Sequence, residues 1–207
     1  MRLARPFFLA PILFREALFR IKTTEKILCL TFDDGPDRYT TLPILEILEG
    51  FGIKAIFFCS GTLAEANPDI INRIRSEGHI IGNHGYDHLS GFKTPSDLYT
   101  DNVQAASGLT SSKIFRPPYG QITPTQYNIL SRSYRIVFWD VMVYDFDPDF
   151  HYTRSLKILK TCIRAGSIVV LHDKPRSTAQ LLLEDFIKYA ESEGYRFEIP
   201  AGLDDGS

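Results

Sequence analysis

The chain has 207 residues, 44% of them hydrophobic, which is enough to bury one sizeable core and too apolar for a disordered or fibrous chain. Lys and Arg number 23 against 25 acidic residues, a net charge of -2, so no basic field argues for nucleic acid and neutral partners suit the balance. Cys29, Cys59 and Cys162 are widely separated with no CxxC, which argues against a zinc knuckle or a redox pair, calls for no disulfide framework, and mildly favours a reducing compartment.

In chain order, residues 1–19 come first, apolar with arginines at the start. Pro6 and Pro11 interrupt this run, Arg15 and Glu16 end it, and no small-residue cleavage site follows. It therefore reads neither as a signal peptide nor as a bilayer span. The expectation is an arm (1–25) packing on one domain (26–207), with no stable membrane insertion. The cytoplasm is the expected compartment, and secretion or peripheral membrane contact is the alternative.

Strand-like apolar runs then recur at 27–32, 54–59, 79–82, 113–115, 135–139, 167–171 and 195–198. Most are apolar on both faces, as parallel strands covered by helices are. Helical patterns lie between them at 41–50, 67–77, 96–108, 123–132, 152–164 and 179–193. The clearest is 67–77, with Asn67 as cap, Pro68 in the first turn, Ile70, Ile71 and Ile74 on one face, and Gly78 after the end. Seven strands alternating with six helices predict an α/β fold with a parallel sheet. A barrel and an open doubly wound sheet satisfy that count equally.

Five polar clusters follow directly on predicted strands: TFDDGPD, HGYDH, RPPYG, WDVMVYDFD and LHD. In a barrel, loops at the C-terminal strand ends converge on one face. Asp33 and Asp34 are adjacent carboxylates before a Gly-Pro turn, so one could bind a metal while the other handles protons. His84 and His88, at i and i+4, would share one face of a helical turn. Beside a carboxylate they make an open divalent-metal site. Arg116 could hold a catalytic carboxylate, and the Tyr119 backbone N–H could face an oxyanion. Trp139 could stack on a sugar or lie in the core. An acid among Asp140, Asp145 and Asp147 could orient a histidine. His172 has the chemistry of a general acid for a leaving amine, and Leu171 could wall a small acyl group. His79 and His151 lack such partners and read as structural or solvated.

In this order the clusters resemble the five motifs of the polysaccharide deacetylase family, also called the NodB-homology family or carbohydrate esterase family 4. The resemblance runs from about Lys26 to Glu198, and TFDDGP is its most specific part. It implies a distorted (β/α) barrel, commonly seven-stranded, with parallel strands and outer helices. It implies Asp33 as general base, Asp34, His84 and His88 as metal ligands, and Arg116 as the residue holding the base. Tyr119 then supplies the oxyanion-binding amide, Asp145 tunes His172, and His172 is the general acid. Two departures stand out: Gly85 where the family often has Ser or Thr, and Met142 and Phe146 where the fourth motif usually carries Asp and Trp.

The expected function is therefore metal-dependent N-deacetylation of acetylated amino sugars in a glycan, of chitin-oligosaccharide or peptidoglycan type. Zinc is the expected cofactor, with cobalt, nickel or iron compatible with the same ligands. The alternatives are an O-acetyl esterase, a small-molecule amidase or deformylase on the same site, and a non-catalytic glycan-binding protein.

Overall fold

A computed structural model describes residues 10–147 and 149–203; the first nine residues of the expected arm lie outside it. Among the described residues the strands are β1 (Ile27–Asp33), β2 (Ile56–Cys59), β3 (Ile80–Asn83), β4 (Ile114–Phe115), β5 (Arg135–Ile136), β6 (Val141–Met142), β7 (Ser167–His172) and β8 (Arg196–Phe197). The helices are α1 (Ala10–Leu13), α2 (Thr41–Phe51), α3 (Gly61–Ala66), α4 (Pro68–Ser76), α5 (Ser96–Ala105), α6 (Ser107–Thr110), α7 (Pro124–Leu130), α8 (Tyr152–Cys162) and α9 (Ala179–Ser192).

The named strands pair in parallel in the order β5-β4-β3-β2-β1-β7-β6, and β8 branches off β1. The seven strands of the main path curl into a half-barrel with helices around it. Their membership differs from the sequence expectation. The run 135–139 is not one strand. It pairs as β5 only to Ile136, then crosses the seam, with Phe138 N donating to Leu18 O and Asp140 N to Ile168 O, and re-enters as β6 on the opposite edge. The apolar run VFWDVMV conceals that crossing, because both of its ends are buried. The last predicted strand becomes β8, beside the lower end of β1.

Alternation along the strands separates two layers. Leu28, Leu30 and Phe32 of β1 pack outward with Ile44, Leu45 and Leu48 of α2 and Leu182, Leu183 and Phe186 of α9. Cys29 turns the other way, to Ile56, Phe58, Ile114 and Ile168. Leu171 belongs to the outer layer and His172, its neighbour, to the inner face. Leu171 is therefore not the acyl-side wall suggested by its place in the LHD cluster.

The arm crosses the seam from below. Phe14 packs on Tyr127 and Phe138, and Phe19 stacks on Phe138 at 4.6 Å. Leu18 bridges Val137 and Arg20 bridges Ser167, joining the two sheet edges. The backbone passes so near Gly166 (φ +77) that a Cβ there would lie 2.1 Å from Ile21 O. Among the described residues no helix is long and apolar enough to cross a membrane.

Candidate active site

Because the strands are parallel, their C-terminal residues gather at one end of the half-barrel. Asp33 and His172 close β1 and β7 and are register partners. His84 follows β3, Arg116 follows β4, and Met142 closes β6. Asp33, Asp34, His84, His88, Tyr119, Trp139, Met142, Phe146, His172 and Lys174 line a cleft of about 210 Å³. Arg116 and Asp145 stand behind it, wholly buried.

Arg116 organises the first half of the site. Its Nη1 donates to Asp33 Oδ1 at 2.6 Å and Thr31 Oγ1 at 2.7 Å, Nη2 to Phe138 O at 2.9 Å and Nε to Val137 O at 3.2 Å. The guanidinium lies 4.1 Å from the Phe58 ring centroid. Burial pulls its pKa down, and Asp33 opposes that shift. The residue also acts through its backbone, since Arg116 O is 2.8 Å from His84 Nδ1. A carbonyl only accepts, so Nδ1 carries the proton and the Nε2 lone pair faces the cleft.

Asp34, His84 and His88 each offer one ligand atom, all within 4.8 Å of one another. Asp34 Oδ1 is 2.8 Å from His88 Nε2 and 3.3 Å from His84 Nε2. Burial alone would raise Asp34, but the two imidazoles outweigh it and hold the carboxyl well below the usual range. Three protein donors with a fixed imidazole tautomer and an open side suit a catalytic divalent cation.

The two imidazoles do not converge on a helical turn. Residues 84–88 form a loop in which Gly85 (φ 78) and His88 (φ 55) are left-handed. Its N–H groups do not follow the i−4 helical pattern: His84 N donates to Cys59 O, Gly85 N to Asn83 Oδ1, Tyr86 N to both Oδ1 and O of Asn102, and Asp87 N to Asn102 Oδ1. Gly85, where a hydroxyl residue is common, supplies a backbone conformation that other residues adopt at a cost.

The second half of the site is built on Asp145. Its Oδ1 accepts from His172 Nδ1 at 2.9 Å, and its Oδ2 accepts from His172 N at 2.7 Å and Ser177 Oγ at 2.9 Å. Burial pushes the His172 pKa down, but Asp145, then Asp34 and Asp33, raise it above the ordinary imidazole value. Asp140 is occupied elsewhere, accepting from Arg164 and Ser167. Asp147 Oδ1 accepts from Asp149 N. The Phe146 and His172 rings meet in a T-shaped contact, with centroids 4.5 Å apart.

Tyr119 (φ 60) lies on the rim beside His88, ring centroids 4.6 Å apart, and its backbone N–H has no acceptor among the described residues. Trp139 is half-buried against Gly120, where a Cβ would lie 2.5 Å from the indole. Its buried Nε1 has no partner among the described residues. His79 and His151 are both away from the cleft. His79 Nδ1 accepts from Ala55 N, and His151 caps α8.

Two contributors have no role assigned from the sequence: Asp173, the last residue of the LHD cluster, and Lys174 after it. Asp173 accepts from Gly35 N and Thr41 Oγ1, bracing the turn that presents Asp33 and Asp34. Burial first, then the Asp34 and Asp33 charges, push its pKa up to about 7. Lys174 Nζ donates to Asp34 Oδ2 at 2.6 Å. The only sequence signal for either is adjacency to His172.

Comparison with known proteins agrees with this geometry. The polysaccharide deacetylase family model matches residues 20–133. A peptidoglycan-N-acetylglucosamine deacetylase of Bacillus cereus is 34% identical over 178 residues, covering 81% of this chain, which spans 64% of that relative's length. A second B. cereus protein of that name is 30% identical over 191 residues, covering 86% of this chain and 88% of the relative. Among solved structures, the Bc1960 peptidoglycan N-acetylglucosamine deacetylase, in complex with 4-naphthalen-1-yl-N-oxidanyl-benzamide, superposes with a TM-score of 0.88 at 28% identity, covering 97% of this chain and 98% of that one.

Proposed function

The chain belongs to the polysaccharide deacetylase family, and from that premise we propose that it is a metal-dependent hydrolase removing N-acetyl groups from the amino sugars of a glycan. The observation carrying this reading is that one cleft holds an Asp-His-His ligand set between an arginine-held carboxylate and a carboxylate-held histidine. The names of the B. cereus relatives support peptidoglycan N-acetylglucosamine as the substrate class.

A divalent cation on Asp34, His84 and His88, with zinc the first choice for this donor set, would polarise the amide carbonyl and acidify the attacking water. Asp33, with one oxygen held by Arg116, uses the other to take that water's proton. The Tyr119 N–H donates to the oxyanion as the carbonyl carbon becomes tetrahedral. His172, its Nδ1–H fixed on Asp145, turns Nε2–H to the amide nitrogen. The nitrogen takes this proton as its bond to carbon breaks, leaving acetate and a free amino sugar. The raised His172 pKa keeps that proton available near neutrality.

The aromatic hydroxamic acid in Bc1960 supports a further expectation, that hydroxamates inhibit this chain too. Variants test the division of labour. Asp34→Ala and His84→Ala should lose bound metal and acetate release together, whereas His172→Ala should keep the metal and lose about 10²–10⁴-fold in kcat. His172→Ala turning over like wild type would contradict the scheme. Faster acetate release from acetylated xylan than from N-acetylated oligosaccharides would make the chain an esterase instead.

A further inference from the structure

Lys174 stands in the cleft wall two residues after His172, and no step above uses it. Its ammonium is placed by two contacts. Nζ donates to Asp34 Oδ2 at 2.6 Å, and it lies 5.0 Å from the Phe146 ring centroid. That ring also meets His172 in a T-shaped contact. Phe146, one of the departures in the fourth motif, thus touches both the general acid and a cation, and cation–π attraction favours the second contact.

The contact divides the Asp34 carboxylate. Oδ1 is the oxygen presented to His84 Nε2 and His88 Nε2, at 3.3 and 2.8 Å, while Oδ2 is taken by Lys174. A carboxylate with both oxygens available binds a cation through one or both. A hydrolytic centre needs open positions for water and for the substrate carbonyl. We infer that Lys174 is a positioning residue that keeps Asp34 a one-oxygen ligand, and so keeps a coordination position open. This rests on the metal-dependent reading above. The ammonium also draws electron density from the carboxylate, which leaves a bound cation the stronger Lewis acid.

The test uses the full chain stripped of metal, as wild type, Lys174→Met and Lys174→Arg. Each is reconstituted with Co²⁺ and followed by visible absorption, with calorimetry fixing the occupancy, and kcat and KM are measured on an N-acetylated oligosaccharide. Lys174→Met should weaken and shift the Co²⁺ d–d bands as the second oxygen closes on the ion. It should also lose about tenfold or more in kcat, with KM little changed. Lys174→Arg should restore the wild-type spectrum and most of kcat. A Lys174→Met protein with the wild-type Co²⁺ spectrum at full occupancy overturns the inference, whatever its turnover. That result combined with a rise in KM confined to anionic amino sugars would make Lys174 a substrate contact. If wild type itself binds no Co²⁺ or Zn²⁺, the metal reading falls and Lys174's proposed role falls with it, a failure recognisable because it does not depend on the variant.

Discussion

Removing the Arg116 guanidinium should cost more than any other single change at the site, and should do so through Asp33. In Arg116→Met the Asp33 carboxylate, 5% exposed, loses its salt-bridge partner, the only one it has among the described residues. Thr31 Oγ1, Val137 O and Phe138 O lose their donor with it. Breaking a buried pair from one side costs about 3–5 kcal/mol, and stranded neutral acceptors add to that, so about 5 kcal/mol is expected. That is a large share of a typical domain's stability. Most of the cost is the uncompensated charge, so adding Asp33→Asn in the same chain should recover about 2 kcal/mol although a second native group is lost. Urea denaturation of wild type, both single variants and the double variant measures all four corners. A double variant no more stable than Arg116→Met would refute the reasoning, as would an Arg116→Met chain within about 1 kcal/mol of wild type.

Three other outcomes are expected. Asp145→Asn removes the main group that raises His172 against its burial, so the alkaline limb of the kcat profile, where His172 loses its proton, should move to lower pH; an unmoved limb would assign that limb to another group. His79 is depressed from 6.5 to about 4 by burial, with Lys54 adding to the effect. The unfolded chain therefore takes up this proton first as pH falls, and stability should drop by roughly 2 kcal/mol between pH 7 and 5. Urea midpoints should show that drop in wild type and its loss in His79→Gln. A Cβ at Gly35 would lie 2.0 Å from Asp173 Oδ2, so Gly35→Ala should displace the aspartate turn and lose about 10²-fold in kcat/KM, measured as acetate release.

Long buried elements were the legible part of the fold. β1 and β7 are apolar on both faces, and α9 shows its helical period over several turns, so local pattern and tertiary burial agree. Pattern failed where the chain changed partners inside an apolar run. β6 was hidden that way, and α3 and α6 are too short to declare a period. In the site, the spacing of His84 and His88 suggested a helix, but Gly85 and two asparagine side chains build a loop that brings the rings together by another path. The face of Leu171 was readable from alternation, since its neighbour His172 must point inward. Lys174 was not readable: its partner Asp34 lies 140 residues away, and nothing local to either residue announces the contact.

Chelation and reconstitution test the central claim most directly. The full chain is stripped of metal, verified metal-free, and assayed for acetate release from an N-acetylated glucosamine oligosaccharide before and after one equivalent of Zn²⁺. The account predicts no release from the stripped protein, recovery with Zn²⁺, and no recovery in Asp34→Ala. Full release from the verified metal-free chain, or none under any loading, would contradict it.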